Sequence, residues 1–231
     1  MFHVFDFISP PICPCCREEL CIGPGHLCEN CERQLPLLPE KRCPGCGGPN
    51  LGYLALCNDC IDVEGGRPWR QAASALPFTG IARKLIHLYK FRNCLAVAPF
   101  LSERMCEAWN TYCADCQIDA ITYIPLHFTR YFTRGYNQSE ILADMLAKRL
   151  GIPKIRALRR RRRTSQQARL GLKSRMANMA GAFSADEKGI AGKRILLVDD
   201  VFTTGTTFTA ATKALQKAGA AEVYVLSAAR A

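Results

Sequence analysis

Residues 194–207 constrain the fold of this 231-residue chain more than any other stretch, because a buried apolar run, two adjacent acids and a glycine-centred hydroxyl loop follow without a gap. Ile195, Leu196, Leu197 and Val198 form a short unbroken aliphatic run, the pattern of a strand covered on both faces in a parallel sheet. Ligands gather at the carboxyl ends of such strands. Asp199 and Asp200 stand at that end, and alternation along an extended chain sends their side chains to opposite sides, which predicts different jobs. Thr203, Thr204, Gly205, Thr206 and Thr207 then make the turn into a helix, with Gly205 free to take a backbone conformation closed to other residues. The turn and the helix start aim N–H groups and hydroxyls at one anion, and a phosphate fits. Carboxylates repel phosphate unless a hydroxyl or a cation lies between them, a need that a sugar diol or Mg²⁺ would meet. The plain alternative is an ordinary strand-to-helix turn. A Walker loop is excluded because no Gly-Lys-Ser/Thr follows, and a dinucleotide fingerprint lacks its spaced glycines.

The second constraint is cysteine. Of 14 cysteines, ten crowd into residues 13–60, and eight of these form the pairs Cys13/Cys16, Cys28/Cys31, Cys43/Cys46 and Cys57/Cys60, separated by eleven, eleven and ten residues. Each pair makes a tight knuckle presenting two thiolates, and two pairs close a tetrahedral Cys₄ zinc site with no open position, which is structural rather than catalytic. The spacing is nearly regular, so neighbouring pairs could share a metal or alternate pairs could do so in a cross-brace. Cys15 and Cys21 are left over, and His26 reads as a surface residue before a substitute ligand. A redox role for the pairs is the weaker reading, since the strand and helix of a thioredoxin-like site are missing around them. Cys113/Cys116 stands alone and has too few ligands for a closed site.

At 48% apolar residues the chain can bury a core. Residues 1–8 are apolar but hold Asp6 and no basic leader, so a signal peptide is not expected, nor is a membrane span, and the expectation is a cytoplasmic protein. Residues 62–68 read as a linker on turn composition, dividing a Cys-rich unit over 1–66 from a second unit over 67–231. Within the second unit, strands are expected at 72–78, 121–124 and 223–228. Helices are expected at 80–91, with the apolar stripe Ile81, Leu85 and Leu88, and at 98–112 and 206–218; a further helix ends near Gly151. Lys84, His87 and Lys90 are taken as solvated, Lys90 also being a weak ligand candidate. Asn137 and Glu140 have the spacing of a capping box. Arg130 and Arg134 have no such structural duty, and two guanidiniums beside a phosphate site would suit a diphosphate.

The net charge of +11 has one source, because residues 145–185 hold twelve basic residues and no acid. Within them, residues 155–159 read as an edge strand, and Arg159, Arg160, Arg161, Arg162 and Arg163 repel one another, predicting an exposed loop that faces an anion. That anion is a diphosphate or a nucleic-acid backbone.

The run from Leu196 to Thr207 closely resembles the phosphoribosyl diphosphate (PRPP) signature of type I phosphoribosyltransferases. The resemblance implies that Asp199 and Asp200 face the ribose hydroxyls, that Thr203, Thr204, Gly205, Thr206 and Thr207 face the 5′-phosphate, and that Mg²⁺ accompanies PRPP. More widely, the chain is similar to the ComF family, which includes the GntX-type proteins linked to DNA uptake or use. That wider match rests on the knuckles, on residues 85–91, on Pro125, Leu126 and His127 with Arg130, on residues 134–138, and on the spaced set Thr164, Gln167, Leu170, Arg175, Asn178 and Phe183. Two departures stand out: the arginine run is longer than the pattern requires, and Ser174 sits where the family often has an acid. The resemblance implies an α/β fold, a type I phosphoribosyltransferase-like parallel sheet flanked by helices, with a small N-terminal zinc-binding domain of double-ribbon type. Arg130, Arg134, Arg163 and Arg175 become candidates for diphosphate or DNA contacts. The implied function is a PRPP-binding, phosphoribosyltransferase-type protein of DNA uptake and natural transformation. The alternative is a component that binds single-stranded DNA, its PRPP site serving as a sensor or relic. Either is compatible with an adaptor docking a protein such as a helicase.

Overall fold

The computed structural model describes residues 12–19, 21, 26–126, 135–161 and 181–231. Its short N-terminal helices are α1 (Glu29–Arg33) and α2 (Asn58–Ile61), each beginning directly after a knuckle cysteine. Then come β1 (Gln71–Pro77), α3 (Gly80–Phe91), α4 (Ala98–Tyr112), β2 (Ala120–Tyr123), α5 (Gln138–Leu150), β3 (Leu158–Arg160), β4 (Phe183–Ala185), β5 (Arg194–Phe202), α6 (Thr206–Lys217) and β6 (Glu222–Arg230). Four strands make one sheet in the order β1-β6-β5-β2, every pair parallel, and β3 and β4 form a separate antiparallel hairpin.

The strand pattern decides which side each residue buries. Leu196, Val198 and Leu226 lie in the core with helices α3, α4 and α5, whereas Ile195, Leu197 and Val225 lie in the core with α6 and the hairpin. The two halves of the Cys-rich segment divide the same way, Cys13, Cys28 and Cys31 joining the first core and Cys43, Cys46 and Cys60 the second. No helix among the described residues is long and apolar enough to cross a membrane.

Several expectations shift in detail. On α3 the buried stripe is Ala82, Leu85, Ile86 and Tyr89, with Ile81 and Leu88 only half-buried, so the helix is turned from the orientation its longest aliphatics suggest. The edge strand expected at 155–159 is displaced: Lys154 bridges to Ile121, Ile155 donates to the Ile121 carbonyl at 2.8 Å, and regular pairing begins only at Leu158. The first arginines of the basic run are therefore part of a hairpin rather than a free loop. Arg160 lies over the Phe183 ring at 5.4 Å and Arg161 Nε donates to Ser184 Oγ at 2.8 Å. The run's last two members, Arg162 and Arg163, lie outside the described residues.

Candidate functional site

Strand β5 outlasts its neighbour. β2 is paired with it as far as Val198, and β5 then runs on to Phe202, held on one side by β6 through the Phe202 and Arg230 register. The acids thus sit inside the strand rather than beyond it, past the point where β2 pairing stops, at the carboxyl end of the sheet where ligands gather. They do meet different partners. Asp199 Oδ1 accepts from Ser139 Oγ at 2.6 Å and from the Asp200 amide at 2.9 Å, whereas Asp200 Oδ1 pairs with Lys90 Nζ at 2.8 Å. Burial, and next the Asp200 charge, push the Asp199 carboxyl up to about 7, against the pull of the Ser139 hydroxyl, Lys90 and the Asp200 amide. Lys90, taken from the sequence as solvated, is instead the counter-ion of the acid pair. Its partner lies 110 residues away, beyond the reach of any helical periodicity.

A second strand of contacts ties α3 to the start of α5. Tyr136 Oη donates to the Tyr89 carbonyl, Tyr89 Oη donates to the Gln138 carbonyl at 2.7 Å, and Gln138 Nε2 reaches the Lys90 carbonyl at 3.5 Å. Asn137 caps α5 by accepting from the Ser139 amide at 3.1 Å and donates to the Ile124 carbonyl at 3.1 Å. Glu140 does not complete a capping box; it accepts from Tyr123 Oη at 2.7 Å and faces Lys154 at 3.5 Å. These bonds fix where α5 starts, and so place Ser139 against Asp199.

Beyond β5 the chain turns through Gly205 at φ 79°, a left-handed conformation. A β-carbon there would lie 2.7 Å from Arg67 Nη1 and 2.8 Å from the Phe202 ring, so both the dihedral and the space require glycine. No side chain caps α6, and its first intrahelical bond runs from the Thr209 amide to the Gly205 carbonyl at 2.8 Å. The amides of Thr206, Thr207 and Phe208 thus precede the helical ladder, as an anion site needs. Thr204 Oγ1 and Thr206 Oγ1 are hydrogen-bonded at 2.8 Å, and Thr203 is exposed. Arg67 braces this loop from behind: Nη1 donates to the Thr204 carbonyl at 2.9 Å, and the guanidinium lies 5.5 Å from the Trp69 ring and 5.6 Å from Phe202. Arg67 fell in the apparent linker. The signal that could have found it is Trp69, two residues later, unusual in a free tether.

The cysteines form two clusters, Cys13/Cys16/Cys28/Cys31 and Cys43/Cys46/Cys57/Cys60, each with its four sulfurs within 4.8 Å of one another. Neighbouring pairs therefore share a site, and the cross-brace is excluded. Cys16 Sγ and Cys28 Sγ are 3.8 Å apart, and Cys46 Sγ and Cys57 Sγ 3.7 Å. A tetrahedron with Zn–S bonds of about 2.3 Å has edges of about 3.8 Å, so both donor sets suit structural zinc. Backbone amides reinforce the thiolates: Cys28 N donates to Cys13 Sγ at 3.4 Å and Cys57 N to Cys43 Sγ at 3.3 Å. The Arg67 guanidinium lies beside Cys60 and that of Arg230 beside Cys46, bringing positive charge against the second cluster. Cys15, Cys21, His26, Cys113 and Cys116 join neither cluster.

Of the remaining candidates, Arg130, Arg134, Arg163 and Arg175 lie outside the described residues. So do His127, Thr164, Gln167, Leu170, Ser174 and Asn178.

Comparison with known proteins agrees with both halves of this architecture. A family model described as a phosphoribosyl transferase domain matches residues 137–230, and one described as a double zinc ribbon domain matches residues 4–61. Competence protein F of Haemophilus influenzae is 31% identical over 237 residues, covering 100% of each chain. DNA utilization protein YhgH of Escherichia coli is 31% identical over 222 residues, covering 94% of this chain and 95% of its own. Competence protein ComFC of Bacillus subtilis is 25% identical over 199 residues, covering 84% and 80%. With a double zinc ribbon in front of a phosphoribosyltransferase domain, and a relative matched from end to end, the chain belongs to the ComF family of competence and DNA utilization proteins.

Proposed function

We propose that the crevice at the end of β5 binds PRPP together with Mg²⁺, and that the protein serves DNA uptake or utilisation. The observation that carries the first half is the placement of two acids, each with its own partner, one turn of chain before an uncapped helix start built on Gly205. Asp199 and Asp200 would accept hydrogen bonds from the ribose hydroxyls. The amides of Thr206 and Thr207, with the hydroxyls of Thr203, Thr204 and Thr207, would hold the 5′-phosphate. Arg67 takes up the Thr204 carbonyl and so keeps that oxygen directed away from the anion. Lys90 neutralises one acid until the diol arrives. Mg²⁺ would travel with the ligand's diphosphate, screening its charge from Asp199 and Asp200. The names of the relatives support the second half.

In a transfer, ribose 5-phosphate would pass to a nucleophile, the new bond forming at C1 as diphosphate leaves with the electron pair. Calorimetry with PRPP and Mg²⁺ tests the binding. The double substitution Asp199→Asn with Asp200→Asn should weaken it by roughly 1.5–3 kcal/mol per hydroxyl contact. Wild-type affinity in that variant would refute the assignment. Diphosphate release in the presence of free bases then separates an enzyme from a sensor.

A further inference from the structure

The two ribbons are one unit built twice, and their differences point to a site. In both, the residue after the second knuckle cysteine donates its amide to the first cysteine's carbonyl: Arg17 to Cys13 at 2.9 Å, Gly47 to Cys43 at 2.7 Å. In both, that residue is left-handed, at φ 65° for Arg17 and 66° for Gly47. The second ribbon uses glycine, which the conformation favours. The first holds an arginine there, one of two non-glycine residues with positive φ among the described residues. Strain of this kind in a side chain that could have been glycine asks what the side chain does.

Arg17 lines a groove of about 480 Å³ between the first ribbon and α3, together with Cys15, Cys16, Lys84, Leu88 and Arg92. Lys84, Leu88 and Arg92 follow at four-residue steps along one side of α3, so among the described residues the groove carries three cations and no acid. None of the three is in an ion pair among the described residues. Lys84 and Arg92 are about 12 Å apart along the helix, so the cations form a row rather than a single cluster. Rings run alongside: the His87 ring lies tilted 6.0 Å from Phe78 and meets Phe91 edge-on at 5.5 Å, and Phe91 is 61% exposed. A row of cations beside exposed rings suits a chain of phosphates carrying unpaired bases. Lys90, on another side of the same helix, faces Asp200, so the groove is separate from the crevice.

We propose that Arg17, Lys84 and Arg92 form a second anion site, which takes the phosphodiester backbone of a single nucleic-acid strand, with bases lying against His87 and Phe91. The proposal gives the DNA half of the reading above a surface, and it does not depend on PRPP occupying the first site.

The test uses the full-length zinc-loaded protein and a fluorescein-labelled oligothymidylate, followed by anisotropy across a salt series. Arg17→Gly restores the residue that the second ribbon carries at the same place, so it should keep the fold and its melting temperature. It should nonetheless weaken oligonucleotide binding. Adding Lys84→Gln and Arg92→Gln should flatten the slope of log affinity against log salt by about two units, from about 0.7 per phosphate contact. Phe91→Ala should cost about fivefold or more in affinity at every salt concentration and less on a duplex of the same sequence. PRPP isotherms should be unchanged in all three variants, which keeps this proposal's outcome distinct from that of the crevice. A triple variant with wild-type affinity and salt slope would overturn the site. Displacement of the oligonucleotide by inorganic diphosphate at equal phosphate concentration, with no effect of Phe91→Ala, would overturn the strand in favour of a small phosphate ligand.

Discussion

The two ribbons share a knuckle, a donor set and a hydrogen-bond scheme, yet one is built into the sheet and the other lies on a helix. In the second, the Pro44 carbonyl accepts from the Ala72 amide at 2.7 Å, Ser74 Oγ donates to the Cys46 carbonyl at 3.2 Å, and Trp69 Nε1 donates to the Gly45 carbonyl at 2.9 Å. Arg67, beside Cys60, donates to the Thr204 carbonyl at 2.9 Å. The first ribbon meets α3 through packed apolar residues and the cationic groove. A duplicated metal unit has thus been used once as a structural joint and once as a surface, and the residue after the second cysteine marks which is which.

The largest expected effect separates them by metal. Structural zinc in small domains is worth on the order of 10 kcal/mol, so replacing Cys43 and Cys60 by serine should unravel β1 and the phosphate loop along with the ribbon. Replacing Cys13 and Cys31 should leave the four-stranded sheet folded. Zinc analysis with circular dichroism and PRPP calorimetry on each variant reads the difference, and equal damage from both would break the comparison.

A smaller effect comes from the knuckle residue itself. A β-carbon on Gly47 would lie 2.4 Å from the Ser74 nitrogen and 2.5 Å from the Ala73 carbonyl carbon, backbone atoms that cannot turn aside. Gly47→Ala should cost about 3 kcal/mol or more in urea unfolding, counting the dihedral. Arg17→Gly should leave stability unchanged or raise it by up to about 1 kcal/mol. The same position would then respond with opposite sign in the two ribbons.

The smallest effect sharpens the contrast between the ribbons and the crevice through pH. With the Asp199 carboxyl held at about 7, the folded chain binds more protons than the unfolded one between about pH 4 and 7. Its contribution is therefore fully present below the unfolded value and is lost as pH rises through 7. The cysteine clusters behave oppositely, since thiolates take up protons and release metal as pH falls. Asp199→Asn should flatten the decline on the neutral side by about 2 kcal/mol between pH 5 and 8 and leave the acid limb in place. An unchanged neutral limb in the melting profile would refute the raised carboxyl.

Much of this was legible beforehand where the cause is local. The bounds of α3 and α4 follow from Gly80 at one start and Pro99 in the first turn of the other, and the eight knuckle cysteines announce themselves by spacing. The central strand showed as an aliphatic run, but its continuation through Asp199 and Asp200 did not, because pairing with β6, not propensity, keeps those acids extended. Which knuckles share a metal was hidden by intervals of almost equal length. The pairing of Lys90 with Asp200, and the roles of Ser139 and Arg67, were hidden for one reason: each depends on a partner 60 or more residues away. Sequence patterning reports faces and turns, and cannot report which faces meet.

The bond from Ala72 to Pro44 has one more consequence, for what happens if the chain is cut. The outer edge of β1 is a row of backbone groups that would otherwise seek another strand, and the second ribbon closes it, with Arg42 Nη1 taking the Ser74 carbonyl at 2.8 Å. A fragment beginning at residue 67 would shed that selvedge and loosen β1. Such a piece should stick to copies of itself, edge to edge, however well its interior is packed.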